Sequence, residues 1–214
     1  CESIAYTYSD PVVFYEYVHD SSELAHQAGL HNVFITAAYI NQKPLRRLCR
    51  LLDASNTDLK AFDDRFYRDT NGGSLQPVLD ALVTLREEGV WLEVTTLMIP
   101  GLNDSEEEMK GLAKFLADLD PGIPWHISRF HPTYKLTDRP ATPVETLGRA
   151  REIGLQAGLK YVYTGNVPGN EGENTFCPGC GEKVIERWGF QVGALRIKDG
   201  ACVRCGEKID GVWR

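Results

Sequence analysis

The sequence predicts an α/β fold: part of a (β/α) TIM-type barrel with parallel strands, followed by a small C-terminal four-cysteine metal ribbon. Three stretches share one pattern, in which a helical segment ends at a glycine suited to a left-handed cap and a β-branched or aromatic run follows. These stretches are HQAGLHNVFITAAY (26–39), REEGVWLEVTTLMIPG (86–101) and LQAGLKYVYTGN (155–166). Near the C-terminal end, two Cys-x-x-Cys pairs have the spacing of a structural metal site.

The β-branched and aromatic runs predict strands at about 3–8, 32–37, 55–61, 90–98, 125–130 and 160–164. Amphipathic patterns between them predict helices at about 21–28, 43–52, 74–88, 104–119 and 143–157. Strands that are apolar on both faces and alternate with helices lie parallel, with helices covering them. A closed barrel of eight such units usually needs about 250 residues, so we expect only part of one.

Local signals support individual elements. The opening run CESIAYTYSDPVVFYEY (1–17) is apolar, β-branched and aromatic, which is typical of a buried strand. Thr142-Pro143 with Glu145 fits a capping box, and Asn103-Asp104-Ser105 precedes an acidic first turn. The strand and helix pattern stops at VPGNEGENTF (167–176), which reads as a linker. We therefore expect a partial barrel over residues 1–169 and a metal domain over residues 170–214.

The composition narrows the class of protein. Hydrophobic residues make up 43% and charged residues 25% of the chain, which is ordinary for a globular protein. The formal net charge of -7 argues against nucleic acid as a partner. No apolar run is long enough to span a membrane, so no membrane association is expected. Paired cysteines that bind metal suit a reducing compartment, which favours a cytoplasmic location.

The cysteine pairs predict a closed metal site. Cys177-Pro-Gly-Cys180-Gly and Cys202-Val-Arg-Cys205-Gly would bring four thiolates to one ion, and the glycine after each pair permits a tight turn. Four thiolates leave no open position for a substrate, so the predicted role is to fold a short segment. Zinc is favoured, but iron remains open because rubredoxin-like knuckles have the same form.

Polar residues cluster at the predicted strand ends, where barrel enzymes place their chemistry. Asp58 and Lys60 lie two residues apart on one strand and point to one face, as either a structural ion pair or a ligand site. His126 alternates with Ser128, as either a hydrogen-bonded core histidine or a functional one. Asp10 before Pro11 is either a functional residue at a strand end or a helix-entry or turn residue.

Several segments together resemble a known family, namely the radical S-adenosylmethionine (radical SAM) enzyme of the AmmeMemoRadiSam system, a relative of pyruvate formate-lyase-activating enzymes. The resemblance covers nearly all 214 residues. The segments that carry it are SIAYTYSDPVVFYEY, ASNTDLKAFDDRFYR, VWLEVTTLMIPGLNDS, PWHISRFHPTYKL, GLKYVYTGNVPG and FCPGCGEKVIER.

The resemblance implies a set of residues that bind S-adenosylmethionine. Ser9 and Asp10 lie where such enzymes carry a Gly-Gly-Glu-Pro-like motif that holds the amino group of the cofactor. Asp58 and Lys60 match the Asp-x-Lys strand that binds the methionine moiety, and His131 lies where a histidine approaches the adenine. Relatives often read Thr-Asn-Gly where this chain reads Thr36-Ala37-Ala38, a departure that weakens the case for a polar contact there.

The resemblance also implies a [4Fe–4S] cluster held by a Cys-x3-Cys-x2-Cys loop, which these 214 residues do not contain. Cys1 and Cys49 do not replace that loop and are left unassigned. The opening strand then corresponds to the second strand of the family, with the cluster loop expected upstream. We therefore expect this chain to be catalytically inactive alone.

The implied activity is that of an oxidoreductase which abstracts hydrogen from a substrate through a 5′-deoxyadenosyl radical. The resemblance does not identify the substrate, although a protein or peptide is one candidate. No catalytic residue is assigned. One alternative is a non-catalytic module in which a barrel remnant and the ribbon bind a partner protein. A metal-dependent hydrolase using His126, His131 and acidic residues at the strand ends is less favoured because the chain lacks a compact pair of ligands.

Overall fold

The computed structural model describes residues 1–213, which form two compact units, Cys1–Thr96 and a second that begins at Leu97. Six parallel strands follow one another in chain order in one sheet of the described residues, which confirms the predicted α/β class. They are β1 (Ser3–Tyr6), β2 (His31–Thr36), β3 (Ala54–Asp58), β4 (Trp91–Met98), β5 (Trp125–Arg129) and β6 (Val162–Gly165).

Helices alternate with these strands, as the repeated pattern predicts. They are α1 (Tyr15–Gln27), α2 (Gln42–Cys49), α3 (Asp64–Phe66), α4 (Gln76–Glu87), α5 (Glu106–Leu119) and α6 (Val144–Gln156). The short α3 was not predicted, and it continues into a π-helical turn, Tyr67–Asn71. No helix in residues 1–213 is long and apolar enough to cross a membrane.

In the first unit, burial alternates along the strands. On β2, Asn32, Phe34 and Thr36 are buried, while Val33 is half-buried and Ile35 exposed. The same alternation runs along β3 and β4. One face of these strands is therefore buried, and the other is more open and carries polar side chains on β3 and β4.

Only the first part of the opening run, residues 1–17, forms the predicted strand. β1 ends at Tyr6, and a 3-10 turn, Pro11–Phe14, leads into α1. The Asp10 carboxylate accepts a hydrogen bond from the Val12 amide, and the ring of Pro11 fixes a helical φ, so the chain turns here despite its β-branched and aromatic content. The helix-entry interpretation of Asp10 is thus confirmed.

Of the two helix-start signals, one is correct. Ser105 caps α5, and its Oγ accepts a hydrogen bond from the Glu108 amide at 3.3 Å. Thr142 does not form the predicted capping box. Its buried hydroxyl instead donates to the Met98 carbonyl at 2.6 Å and accepts from the Phe130 amide at 2.9 Å, which fixes the loop after β5.

In the second unit, α6 packs directly on β5 and β6. A ribbon follows β6, and its core contains Tyr161, the residue just before β6, together with Cys177 and Cys202. The ribbon strands are β7 (Thr175–Phe176), β8 (Lys183–Trp188), β9 (Gln191–Leu195), β10 (Ile197–Lys198) and β11 (Ala201–Cys202). A domain boundary near residue 170 stays a prediction.

Candidate functional site

The Asp10 carboxylate joins the loop after β1 to the end of β2. Its Oδ1 accepts hydrogen bonds from the Val12 amide at 3.1 Å and the Thr36 hydroxyl at 2.9 Å, and its Oδ2 accepts from the Ala37 amide at 2.8 Å. Thr36 and Ala37 therefore bind the Asp10 carboxylate within the protein. Three of the roughly four acceptor positions of the carboxylate are thus used within the protein.

The residues beside Asp10 are open to solvent. Tyr8 has a positive φ of 70° and a fully exposed side chain, and Ser9 is also exposed. Ala38 has a φ of 53° and is buried. Both left-handed positions fall where the resemblance places a glycine, which adopts such a φ without strain. The backbone of these two loops therefore keeps the shape of a glycine-rich motif with bulkier residues.

Asp58 and Lys60 form an ion pair at the carboxyl end of β3. The Lys60 Nζ lies 2.8 Å from the Asp58 Oδ2, and the two side chains are 38% and 42% exposed, respectively. The sequence allowed either a structural ion pair or a ligand site here, and the ion pair is formed. Because both charges remain about two-fifths exposed, they gain little stability from each other and keep a solvent-facing side.

A buried tyrosine holds the backbone next to this ion pair. The Tyr67 hydroxyl accepts a hydrogen bond from the Lys60 amide at 3.1 Å, and only 4% of Tyr67 is exposed. Burial raises the pKa of Tyr67 to about 12, and the negative charge of Asp58 adds to the shift. Tyr67 therefore stays protonated at neutral pH and fixes the backbone that carries Lys60.

Further polar side chains share the open face of β3 and β4. Asp58 lies opposite Thr95 in the strand register, and the Thr95 hydroxyl donates to the Asn56 Oδ1 at 2.8 Å. Glu93 accepts a hydrogen bond from the Trp91 indole at 3.0 Å. The first unit thus presents a row of polar groups that ends in a carboxylate and an ammonium.

The open face of β5 and the half-buried face of β6 beside it belong to the second unit. The rings of His126 and Tyr163 stack there with centroids 5.1 Å apart, and Ser128 follows on the same face. His131, proposed from the resemblance as an adenine contact, is exposed in the loop after β5. The notion of His126 as a core histidine fits only in part, since its ring is half-buried.

The four predicted metal ligands come together. The Sγ atoms of Cys177, Cys180, Cys202 and Cys205 all lie within 4.8 Å of one another. The Cys177–Cys205 pair is 3.5 Å apart and the Cys180–Cys202 pair 3.8 Å apart. A tetrahedral ion with bonds of about 2.3 Å to sulfur needs separations of about 3.8 Å, so these residues fit one zinc or iron ion.

The two knuckles have the same backbone geometry. In each, the amide of the first cysteine donates to the carbonyl five residues later, at 2.8 or 2.9 Å. The carbonyl of that cysteine accepts from Gly181 in one knuckle and Gly206 in the other, and both glycines have positive φ. The glycine after each pair is therefore required by the turn, as the sequence predicted.

The pKa values of the cysteines differ within the cluster. Burial raises the pKa of Cys177, and for Cys205 the Glu207 amide lowers the pKa but the neighbouring thiols and burial raise it by more, to about 12. For Cys202, burial raises the pKa, but the amides of Cys205 and Arg204 and the nearby thiols lower it to about 7. A lower pKa favours the thiolate that a metal binds. Burial raises the pKa of Cys49 to about 11, which keeps that thiol protonated.

The residues present do not fit an iron–sulfur cluster of the kind that the resemblance implies. Among the described residues, the four ribbon cysteines form the one cysteine cluster, and they suit a single ion. Cys49 is buried and Cys1 is exposed at the start of β1. Neither therefore supplies the three-thiolate set that such a cluster requires.

Sequence reasoning missed three residues that shape these faces. Asn56 lies two residues before Asp58, so the period of a strand could have placed it on the same face. Tyr67 and Tyr163 gave no such signal, because an aromatic residue in an apolar context reads as ordinary core.

Comparisons with known proteins point to one family. The profile of the Radical SAM superfamily matches residues 1–116. An uncharacterised protein of Methanocaldococcus jannaschii is 46% identical over 213 residues, which make up 98% of this chain and 63% of that protein. The benzylsuccinate synthase activating enzyme of Thauera aromatica is 29% identical over 108 residues, 50% of this chain and 33% of that enzyme.

A solved structure shares the fold. A domain of pyruvate-formate lyase-activating enzyme from Bacteroides vulgatus matches with a TM-score of 0.67 at 18% identity. The match covers 78% of this chain and all of that domain. The chain spans less than two thirds of the length of both relatives named above.

Proposed function

The chain belongs to the radical SAM superfamily, and from this premise we propose that it binds S-adenosylmethionine in an enzyme that abstracts hydrogen through a 5′-deoxyadenosyl radical. The observation that carries the proposal is the half-exposed Asp58–Lys60 pair at the carboxyl end of β3. The methionine end of the cofactor is a zwitterion, so the ammonium of Lys60 suits its carboxylate and the carboxylate of Asp58 suits its amino group.

The other proposed contacts have different roles. Asp10 already accepts three internal hydrogen bonds, so its main effect is to hold the loop that presents Ser9. One acceptor position of its carboxylate remains for the amino group of the cofactor. His131 is proposed to contact the adenine.

The radical chemistry needs a [4Fe–4S] cluster, for which the described residues offer no ligand set. The proposed activity therefore requires cluster ligands from outside these 214 residues, and we expect no radical formation by this chain alone. The protein residues described above bind and orient the cofactor.

The proposed substrate is a protein or peptide. In support, the Thauera relative is named for activating another enzyme, benzylsuccinate synthase. Within the superfamily, we propose the AmmeMemoRadiSam group, on the motifs quoted from the sequence.

A second candidate function is a non-catalytic module that binds a partner protein. One observation favours it: the β8–β9 hairpin exposes large apolar side chains, with Phe190 fully exposed and Trp188 66% exposed. Exposed apolar patches of this kind mark interaction sites. This candidate predicts no affinity for S-adenosylmethionine.

Cofactor titration separates the two candidates. S-adenosylmethionine is added to the chain while amide NMR shifts near β3 are followed, and weak saturable binding is expected. Asp58→Asn and Lys60→Met should each reduce affinity about tenfold or more, because each removes a charged contact. Arg65→Gln removes an exposed ion pair elsewhere in the first unit and should leave affinity unchanged. Absence of binding, or equal binding by all variants, would reject the proposal.

A further inference from the structure

Three stacked side chains connect the ribbon to the open face of β5. The Arg187 guanidinium of β8 lies 5.6 Å from the ring centroid of Tyr163 on β6. The Tyr163 ring in turn stacks on His126 of β5, with a centroid separation of 5.1 Å and an angle of 23° between ring planes. All three residues lie in the second unit, so the stack runs within one compact body.

Hydrogen bonds from the ribbon fix the middle of this stack. The hydroxyl groups of Tyr163 and Thr175 lie 2.8 Å apart, and Arg187 Nη1 donates to the Thr175 Oγ1 at 2.7 Å. The same Nη1 lies 3.1 Å from the Glu173 carbonyl. Thr175 is held by its pairing with Ile185 in the ribbon sheet. The orientation of the Tyr163 ring is therefore set by ribbon residues.

The metal site determines whether those ribbon residues are in place. The buried ribbon core is small, and two of its members, Cys177 and Cys202, are metal ligands. A segment of this size gains much of its folding free energy from the bound ion, because few apolar groups are buried in it. The preceding Tyr161 is part of the same core, and its hydroxyl contacts Asp210 near the end of the ribbon.

His126 is the β5 end of the stack. Neighbouring Trp125 points to the opposite face, where it is fully buried beside Gly154 of α6. The helix therefore holds the Trp125 side of β5, and the aromatic contact to Tyr163 restricts the His126 ring on the other side. A histidine stacked on an aromatic ring has fewer orientations open to it than one that faces solvent.

We propose that the metal-bound ribbon orients the His126 imidazole on the open face of β5, with Tyr163 and Arg187 as positioning residues. When the ribbon binds its ion, the His126 side chain on β5 is held in one orientation, and when the ion is lost, that orientation is lost too. This assignment goes beyond the proposed cofactor chemistry and does not depend on it, because the orientation of His126 is a property of the second unit alone.

Histidine NMR tests the proposal on the whole chain. Imidazole resonances are recorded with zinc bound, after removal by a chelator, and after zinc is restored. The ring of Tyr163 should shift the His126 resonances when zinc is bound, and this shift should disappear without the metal and return with it. His131, which is exposed in the same unit, should change little. The Trp125 indole signal reports whether β5 remains folded throughout.

Variants of Tyr163 and Arg187 test the proposal without removing the metal, which matters if metal removal unfolds the second unit. In the zinc-loaded protein, Tyr163→Leu and Arg187→Gln should move the His126 resonances towards their metal-free positions. Tyr163→Phe keeps the ring but loses the hydroxyl contact to Thr175, so it should move them less than Tyr163→Leu. Arg196→Gln is the matched control, because Arg196 donates to the Lys183 carbonyl on the exposed part of the ribbon. The proposal is overturned if His126 resonances are the same with and without zinc while Trp125 stays native. It is also overturned if Tyr163→Leu and Arg187→Gln leave them unmoved.

Discussion

The Asp10 carboxylate accepts a hydrogen bond from the Thr36 hydroxyl at 2.9 Å, and the same Thr36 oxygen accepts one from the Ala38 amide. This relay joins the loop after β1 to the loop after β2. It fixes the backbone around Ser9 before any ligand arrives. The hydrogen bonds that shape the proposed cofactor site therefore also stabilise the first unit.

Asp10→Ala removes three hydrogen bonds and the start of the turn before α1. We expect a loss of about 2 kcal/mol in the free energy of unfolding, because charged hydrogen bonds and helix caps each contribute about 1–3 kcal/mol. Urea denaturation measures it. Glu23→Ala changes an exposed carboxylate on α1 and should alter stability little. Equal effects of the two substitutions would show that the relay contributes nothing.

Tyr8→Gly should stabilise the protein, although it removes a large side chain. The φ of 70° strains a residue with a Cβ by about 1–2 kcal/mol, and the fully exposed ring loses no packing. The greater freedom of glycine in the unfolded chain cancels about 0.4–1 kcal/mol of the relieved strain. The free energy of unfolding should therefore rise by about 0.5–1 kcal/mol. Tyr17→Gly, at an exposed site inside α1, should instead destabilise. A lower thermal midpoint for Tyr8→Gly would contradict this account.

Two glycines of α6 should respond oppositely to alanine. At Gly154 a Cβ would lie 2.9 Å from the Val162 side chain and 3.0 Å from Trp125, whereas at Gly148 it would meet nothing within 4 Å. Alanine gains about 1 kcal/mol of helix propensity at both sites. Overpacking at Gly154 costs about 1–3 kcal/mol, so Gly154→Ala should be neutral or destabilising. Gly148→Ala should stabilise, and chemical denaturation compares the two.

Asp53 should make stability depend on pH. Burial raises its pKa, but hydrogen bonds from the His31 ring at 2.8 Å and the Asn32 amide at 2.7 Å lower it by more, so the folded pKa lies below the ordinary value. The ionised form therefore stabilises the fold above about pH 4, and this contribution is lost as the pH falls through the folded pKa.

The matching variant is Asp53→Asn. It should be less stable than the parent chain at pH 7, by about 1 kcal/mol at most because the side chain is 41% exposed. The difference should shrink towards pH 3, where the parent carboxylate is protonated as well. Urea midpoints at the two pH values measure it. A difference that grows on acidification would reverse the assigned sign.

The ribbon should bind one metal ion per chain. Cys177→Ser and Cys202→Ser each remove one of four thiolates and should abolish binding of the ion, as measured by elemental analysis after gel filtration. Cys1→Ser is the control, since Cys1 is exposed and outside the cluster. Full retention of the ion by Cys177→Ser would contradict the four-thiolate site.

The strand and helix order could be read from the sequence because β-branched runs and glycine caps recur at each unit. Five predicted helices and six predicted strands correspond to observed ones within a few residues, apart from α1, which begins at Tyr15 rather than near residue 21. There the prediction gave more weight to the aromatic run than to the turn signal of Asp10-Pro11, so it placed the start of the helix too late. The four-cysteine cluster was predictable because two fixed spacings and two glycines define it.

The polar faces were harder to predict because they depend on contacts between residues distant in sequence. The neighbours of Asp58 could be inferred from strand period, but the support of Lys60 by Tyr67 depends on the unpredicted turn after α3. Thr142 misled the prediction because a buried threonine that bonds to Met98 and Phe130 looks identical in sequence to a helix cap.

The segment that composition marks as a linker is firmly attached. Asn170 accepts hydrogen bonds from the Gly172 amide and the Thr164 hydroxyl, and Asn174 is buried and accepts one from the Arg187 amide. A protease must pull several residues of backbone into its cleft before it can cut, and these bonds hold that backbone down. Limited digestion should therefore spare the junction, and a ribbon fragment should not be released.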